Sequence, residues 1–221
     1  MIPRIGRRPG LPSRALGGPR RMASRGPGLA GTLALLLAGV VACGAPPFDP
    51  SGACTADGRA AGAYPALEAL VPPKFEGRTP DSLDSGRNCS DAALGTLAAR
   101  GIDELRFAGG IWDLGSGGGV TLAVLEAPGL QPDWVAEFYE AGARSGRRVE
   151  DVTVSETIVG GRPAARIDAL NGESFQTVVV VPDAADLVRV VIVASAIREV
   201  QTRAAHDEVV GAAVTALLDG A

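Results

Sequence analysis

The stretch that decides the fold is "SFQTVVVVPDAADLVRVVIVAS", residues 174–195. It contains two nearly continuous runs of β-branched residues, TVVVV and LVRVVIVAS, which are typical of central strands covered on at least one face. The turn PDAAD between them is short, so the two strands are expected to pair antiparallel. The sequence therefore predicts a sheet built around this hairpin.

The flanking segments extend the same architecture. Further strands are predicted at about 148–158 and 163–170, and earlier at 103–114 and 120–126 around the glycine loop 115–119. Helices are predicted in "YPALEALVP", from Ser90 to Gly101, from Pro132 to Gly146, and at 197–218. The last of these carries an apolar stripe that can cover the sheet. The sum is a single α+β domain, residues 63–221, with helices packed on an antiparallel sheet.

The N-terminal region has the pattern of a secretory signal. The first 28 residues contain seven arginines and no acid, and the apolar run 29–43 follows them. That run has 15 residues, whereas a membrane span needs about 20, which favours a cleaved signal over a permanent span. Residues 1–42 are thus predicted to be removed, with Met22 as an alternative start.

Val40, Val41, Ala42 and Cys43 resemble the lipobox of bacterial lipoproteins. The resemblance implies that Cys43 is acylated, becomes the mature N-terminus and anchors the protein on the extracytoplasmic face of the cell membrane. Two alternatives remain: cleavage at a small residue such as Ala42 or Ala45, or Cys43 as an ordinary apolar residue. Residues 43–62, rich in Pro, Gly and Ala, are interpreted as a flexible tether.

Charge limits the classes of partner. With the seven signal arginines removed, 14 basic residues face 25 acidic ones, a net charge of −11. Such a surface repels phosphate backbones and anionic headgroups. We therefore expect no nucleic-acid partner, and membrane attachment through the lipid rather than through charge.

Cys54 and Cys89 are the other two cysteines. An exported domain meets oxidising conditions, so the pair is predicted to form a disulfide, which would stabilise the fold by roughly 3 to 4 kcal/mol. A metal site is the competing interpretation, but two thiols and the distant His206 lack the spacing of zinc ligands.

A family resemblance covers most of the predicted domain. The segments "PALEALVPPKFEGR" and "VGGRPAARIDAL…SFQTVVVVPDAADLVRVVIVAS", followed by a terminal helix, resemble exported bacterial lipoproteins of unassigned function. The order of elements in the second half is similar to the PsbP-like fold, which recurs in such lipoproteins. The resemblance implies a compact domain used for binding or assembly, and it brings no active site.

Three motifs are tested for catalytic or phosphate chemistry. The run "GSGGG", residues 115–119, precedes a strand instead of a helix, so a hairpin loop is favoured over a phosphate cradle. "LDSG", residues 83–86, has the composition of a turn and no second copy that could form an aspartic-protease pair. His206, the only histidine, is predicted to lie on the solvated side of the last helix, with a catalytic base as the alternative.

The aromatic residues suggest one binding surface. Trp134 and Phe138 are four apart on a helix, so they are predicted to pack in the core. Trp112 and Asp113 adjoin the glycine loop, and with Gly117 and Gly118 they form the candidate binding residues.

Three functional hypotheses result. The first is a membrane-anchored, non-catalytic binding or accessory module of the cell envelope, without a cofactor, whose partner is an envelope protein or a small ligand. The second is a carrier of a small apolar ligand or lipid, which requires a cavity of several hundred Å³ between sheet and helices. The third is a hydrolase using His206, which requires a serine or carboxylate beside that ring in a cleft.

Overall fold

The computed structural model describes residues 48–220. Its core is one antiparallel sheet of eight strands: β1 Gly58–Ala60, β2 Ser82–Asn88, β3 Leu105–Gly115, β4 Gly118–Glu126, β5 Val149–Val159, β6 Arg162–Asn171, β7 Ser174–Pro182 and β8 Leu187–Ala196. Their order across the sheet is β1-β2-β3-β4-β8-β7-β6-β5. The hairpin of β7 and β8 lies next to β4, so the apolar run that predicts the sheet does form central strands.

The helices are α1 Pro65–Glu68, α2 Asp91–Leu94, α3 Pro132–Ser145, α4 Ile197–Val200 and α5 Arg203–Asp219, and a 3₁₀ segment, Gly95–Arg100, follows α2. Ser90 caps α2 as predicted, because its hydroxyl accepts a hydrogen bond from the Ala93 amide. The predicted α+β class with an antiparallel sheet is confirmed, with the sheet as the dominant part.

Glycines form the tight turns that join neighbouring strands. In the β3–β4 hairpin Ser116 and Gly117 both have positive φ, and in the β5–β6 hairpin Gly160 and Gly161 do. This is the geometry of the type I′ turn, one of the two common two-residue hairpin loops. The run "GSGGG" is therefore a hairpin turn between paired Gly115 and Gly118, as the sequence indicated.

Alternate side chains of each strand point to opposite faces of the sheet. On the face that we call the α5 face, Val191 and Val193 pack with Trp112 and with Val210 and Leu217 of α5. On the other, the α3 face, Val188 and Val190 pack with Val135 of α3 and with Leu94 and Leu97. Each layer of helices thus buries one apolar face of the central strands.

The α3 face is covered over only part of its width. Helix α3 packs on β5, β6 and β7. Over β3 the sheet is open, since Ile111 keeps 42% of its surface exposed. The gap lies beside the ring of Phe138.

Two predicted elements differ from the structure. The last helix is broken after α4 at Gln201, whose φ of 57° is left-handed, so α5 begins only at Arg203. The "LDSG" stretch, residues 83–86, is not a turn but lies inside β2, where Ser85 and Gly86 are buried between β1 and β3. Gly86 is required there, since a Cβ atom would lie 2.3 Å from the Gly58 carbonyl oxygen.

A disulfide and hydrogen bonds from Arg87 attach the N-terminal segment, from Phe48 to β1, to the rest of the domain. Cys54 and Cys89 form the predicted disulfide, with a Cα–Cα distance of 5.5 Å. Arg87, only 5% exposed, donates to the carbonyl oxygens of Gly52 at 2.7 Å and Ala53 at 3.0 Å. From Phe48 onward the predicted tether 43–62 therefore contacts the sheet, and its β1 residues belong to it.

Candidate functional site

Trp112 is not the surface contact that its position beside the glycine loop suggested. Its side chain is fully buried, its Nε1 donates to the Arg78 carbonyl oxygen at 2.9 Å, and its ring packs edge-on against Phe75. Alternation along β3 explains the error, because Ala108 and Trp112 share the α5 face while Ile111 and Asp113 do not. Trp112 is a core residue.

The other candidate binding residues lie together at the tip of the β3–β4 hairpin. Asp113 is exposed, and its carboxylate accepts a hydrogen bond from the Gly115 amide at 2.7 Å. Gly117 is exposed in the turn and Gly118 begins β4. Their part in binding stays a prediction.

His206 is the second residue that the structure places differently. Its side chain is fully buried on the face of α5 that packs on the sheet. The prediction that it lies on the solvated side of the helix is therefore wrong. Its Nδ1 lies 2.9 Å from the Ser195 hydroxyl and its Nε2 lies 2.9 Å from the Thr177 hydroxyl. The spacing of His206 with Val210, Ala213 and Leu217 is the signal that assigns it to the buried face of α5.

The Asp168 carboxylate, which can only accept hydrogen bonds, fixes the donor and the acceptor of each bond in this cluster. The Thr177 hydroxyl donates to the Asp168 carboxylate, so it accepts from Nε2–H of His206. Nδ1 is then unprotonated and accepts from the Ser195 hydroxyl. Burial, and next the nearby Arg203 guanidinium, lower the pKa of His206 to about 4, so the ring is neutral at physiological pH.

This cluster meets one requirement of the hydrolase hypothesis and misses the other. A serine does lie beside the ring, with its proton directed at a basic nitrogen. However, Ser195 is only 4% exposed and His206 is fully buried, so a substrate would reach the hydroxyl only after α5 moved. The arrangement satisfies buried polar groups and docks α5 on the sheet.

A different site is formed where the α3 face is open. We call it the open groove: a concavity of about 220 Å³ between β2–β4, β8 and α3. Its floor is apolar or small, made of Phe107, Gly109, Ile111, Thr121, Ala123 and Ile192. The pairing of Gly109 with Ala123 across β3 and β4 keeps the middle of this floor low, because neither side chain extends beyond a methyl group.

The wall and margin of the open groove differ in polarity. Phe138 and Tyr139 of α3 form an aromatic wall. Desolvation raises the pKa of Tyr139 to about 12, so its hydroxyl stays protonated. Arg59 and Asp84 lie at the opposite margin, and neither makes an ion pair with another described residue.

The sequence did not predict this groove. Both floor strands and α3 were expected, but the depth of the floor depends on which residues of β3 and β4 lie opposite each other. The turn at Ser116 and Gly117 pairs Gly115 with Gly118, and continued without interruption that register would not bring Gly109 opposite Ala123. A bulge between Asp113 and Gly115 shifts the register by one residue and produces this pairing, so the turn alone does not predict the floor.

Two further features complete the description of residues 48–220. No cluster of three or more His, Cys, Asp or Glu side chains in that range could hold a metal ion. No helix in the same range combines the length and the hydropathy that a membrane span requires. The predicted signal and Cys43, the predicted lipidation site, lie outside the described residues.

Comparison of the chain with protein-family models, with curated proteins and with solved structures finds no match.

Proposed function

We propose that the protein is a lipid-anchored, extracytoplasmic binding module that holds a small apolar molecule in the open groove. The observation that carries the proposal is the uncovered part of the α3 face, where Phe107 and Ile111 lie beside an aromatic wall. Soluble domains normally cover apolar sheet surface, and a concave apolar surface with a few polar groups at its margin is typical of a ligand site.

The shape of the groove selects the class of ligand. Its volume of about 220 Å³ is smaller than the several hundred Å³ expected of a carrier cavity, so the groove suits part of one hydrocarbon chain and not a bulky ring system. Charged side chains are confined to the margin at Arg59 and Asp84. The occupant we propose is therefore an amphiphile with a single apolar chain, whose polar end lies towards that margin.

The way in which the N-terminal segment is held supports a role at the membrane. Arg87 and the disulfide fix the chain from Phe48 onward. An extended chain spans about 3.4 Å per residue, so an acyl group on Cys43 would keep Phe48 within about 17 Å of its attachment point. Arg59, at the margin of the open groove, lies in β1 and would thus be held near the lipid surface.

Filling the groove tests the proposal. In Gly109→Leu the new side chain projects over the floor, and the Cβ itself fits, because its nearest neighbour is the Ala123 Cβ atom at 3.5 Å. Binding of a fluorescent single-chain fatty acid is measured by titration. We expect saturable binding to the unaltered protein and at least tenfold weaker binding to Gly109→Leu.

The matched control is Gly211→Leu, the same change at an exposed position of α5 with open space around it. It should bind the probe as the unaltered protein does. Equal binding to both variants, or no saturable binding to any form, would exclude the groove as the ligand site.

A further inference from the structure

A second surface, independent of the open groove, lies at the far edge of the sheet. Strand β5 is the last strand, paired with β6 on one side and with no strand of residues 48–220 on the other. After a register shift between Glu150 and Thr153 the strand is regular to Val159. An edge of this length exposes backbone donors and acceptors that can pair with another chain.

Edge strands are usually protected by charged side chains or proline, whereas β5 exposes large apolar side chains. On the α3 face Val154 is 45% exposed and Ile158 is 70% exposed, the largest exposed fraction among the bulky apolar side chains described. Glu156 lies between them on the same face, as the alternation of the strand requires. The side chains that project from the α3 face along this strand are thus apolar, acidic and apolar in turn.

A groove beside the edge continues the acidic character. It is formed between β5 and α3, and Val154, Glu156 and Asp133 line it. Neither Glu156 nor Asp133 has an ion-pair partner among the residues that the structure describes. The surface therefore offers apolar contacts and uncompensated negative charge at the same place.

We propose that β5 accepts an extended segment of a partner protein as a ninth strand, with the sequence pattern apolar-x-basic-x-apolar. In an added strand, residues facing the α3 face lie opposite Val154, Glu156 and Ile158. Apolar side chains opposite the first and last, and a lysine or arginine opposite Glu156, give favourable pairs at all three positions. Backbone hydrogen bonds supply affinity and the basic residue supplies selectivity.

A second copy of this chain fits the edge less well. It would bring its own Glu150, Asp151 and Glu156 to the junction. Because the exported chain is also acidic overall, both the local pairs and the long-range field oppose such a dimer.

Short peptides test the proposal on the intact protein. The probe is a fluorescent peptide with two valines flanking a central lysine and threonines at the intervening positions, and its comparison peptide has glutamate in place of the lysine. We expect the lysine peptide to bind about tenfold more tightly. In Glu156→Lys the preference should reverse, whereas Glu208→Lys, an equal charge change at an exposed position of α5, should leave it unchanged.

Further measurements separate strand addition from general charge attraction. A lysine peptide with N-methylated backbone amides keeps its charge but loses hydrogen-bond donors, and it should fail to bind. The proposal is overturned if the N-methylated peptide binds equally, if the preference survives Glu156→Lys, or if no peptide binds. Sedimentation should show a monomer, and a dimer that excludes the peptide would instead assign the edge to a second copy.

Discussion

The Nδ1 atom of His206 lies 2.9 Å from the Ser195 hydroxyl oxygen, in an interior that solvent does not reach. On its other side the same ring meets Thr177, which is bound to Asp168, and Asp168 is bound by Arg166. A continuous polar chain thus crosses from the sheet to α5. Such chains are stabilising only while every member has its partner.

Removing the ring should therefore be costly for stability. His206→Ala leaves the Ser195 and Thr177 hydroxyls without a partner and opens a cavity, so we expect the free energy of unfolding to fall by about 2–4 kcal/mol in urea titrations. Glu208→Ala, two positions away and exposed, should change it by less than about 0.5 kcal/mol. Fatty-acid binding should survive in the folded fraction of His206→Ala, because His206 does not line the open groove, and abolition of binding would contradict that location of the ligand site.

The lowered pKa of His206 predicts that the free energy of unfolding depends on pH. The folded-state pKa of this ring is about 4, against 6.5 in the unfolded chain, so the unfolded state gains the proton first as the pH falls. Stability from this group is complete above pH 6.5 and is lost between pH 6.5 and 4, by at most about 3 kcal/mol. Urea unfolding at pH 7.5, 5.5 and 4.5 measures it.

The control for that window is His206→Asn, which has no group that titrates there and should show a flat profile above pH 4.5. Asp168 acts at lower pH. Burial opposes its ionisation, but hydrogen bonds from Arg166 and Thr177 outweigh this and lower its pKa, so its contribution is lost only below about pH 4. Parallel profiles for the two forms would show that His206 is not the titrating group.

The sequence predicted the architecture well for a physical reason. From β5 to β8 every strand is bounded by a short turn, such as Gly160–Gly161, and a short turn forces neighbouring strands to pair. Periodicity also placed α3 between Pro132 and Gly146. These are local signals, and the local structure follows them.

The errors come from tertiary relations that local signals do not encode. Gln201 breaks the last helix. His206 was assigned to the solvated side because of its acidic neighbours Asp207 and Glu208, whereas its spacing with Val210 places it on the buried face of α5. Trp112 was judged by its neighbours in the chain, whereas its burial is decided by which face of β3 meets α5. The open groove depends on the register of the strands and on how far α3 extends over the sheet. No single segment of the sequence shows either of these relations.

Two adjacent glycines in β3, Gly109 and Gly110, face opposite sides of the sheet, so substitutions at the two positions test the packing on each side separately. A Cβ atom at Gly110 would lie 2.8 Å from the Trp112 ring, whereas one at Gly109 meets nothing closer than 3.5 Å. Gly110→Ala should therefore lower the free energy of unfolding by about 1–3 kcal/mol, and Gly109→Ala should be neutral or slightly stabilising. Thermal or urea unfolding of both variants measures the difference, and equal effects would contradict the burial of Trp112.

Arg87 predicts a local effect at the N-terminal segment. In Arg87→Met the carbonyl oxygens of Gly52 and Ala53 lose their donor, so cleavage by thermolysin between Phe48 and Cys54 should accelerate about tenfold or more while the sheet persists. Arg59→Met, which removes an exposed guanidinium without a partner among the described residues, is the control and should be cleaved at the original rate. Unchanged resistance of Arg87→Met would show that the disulfide alone holds the segment.

The most direct test of the account is native mass spectrometry of the protein extracted gently from its own membrane, with Gly109→Leu and Gly211→Leu treated identically. We predict a chain that begins at an acylated Cys43 and retains a small apolar molecule, which is lost in Gly109→Leu and kept in Gly211→Leu. An unlipidated chain would contradict the anchor, and a molecule retained equally by all three forms, or by none, would contradict the open groove as its binding site.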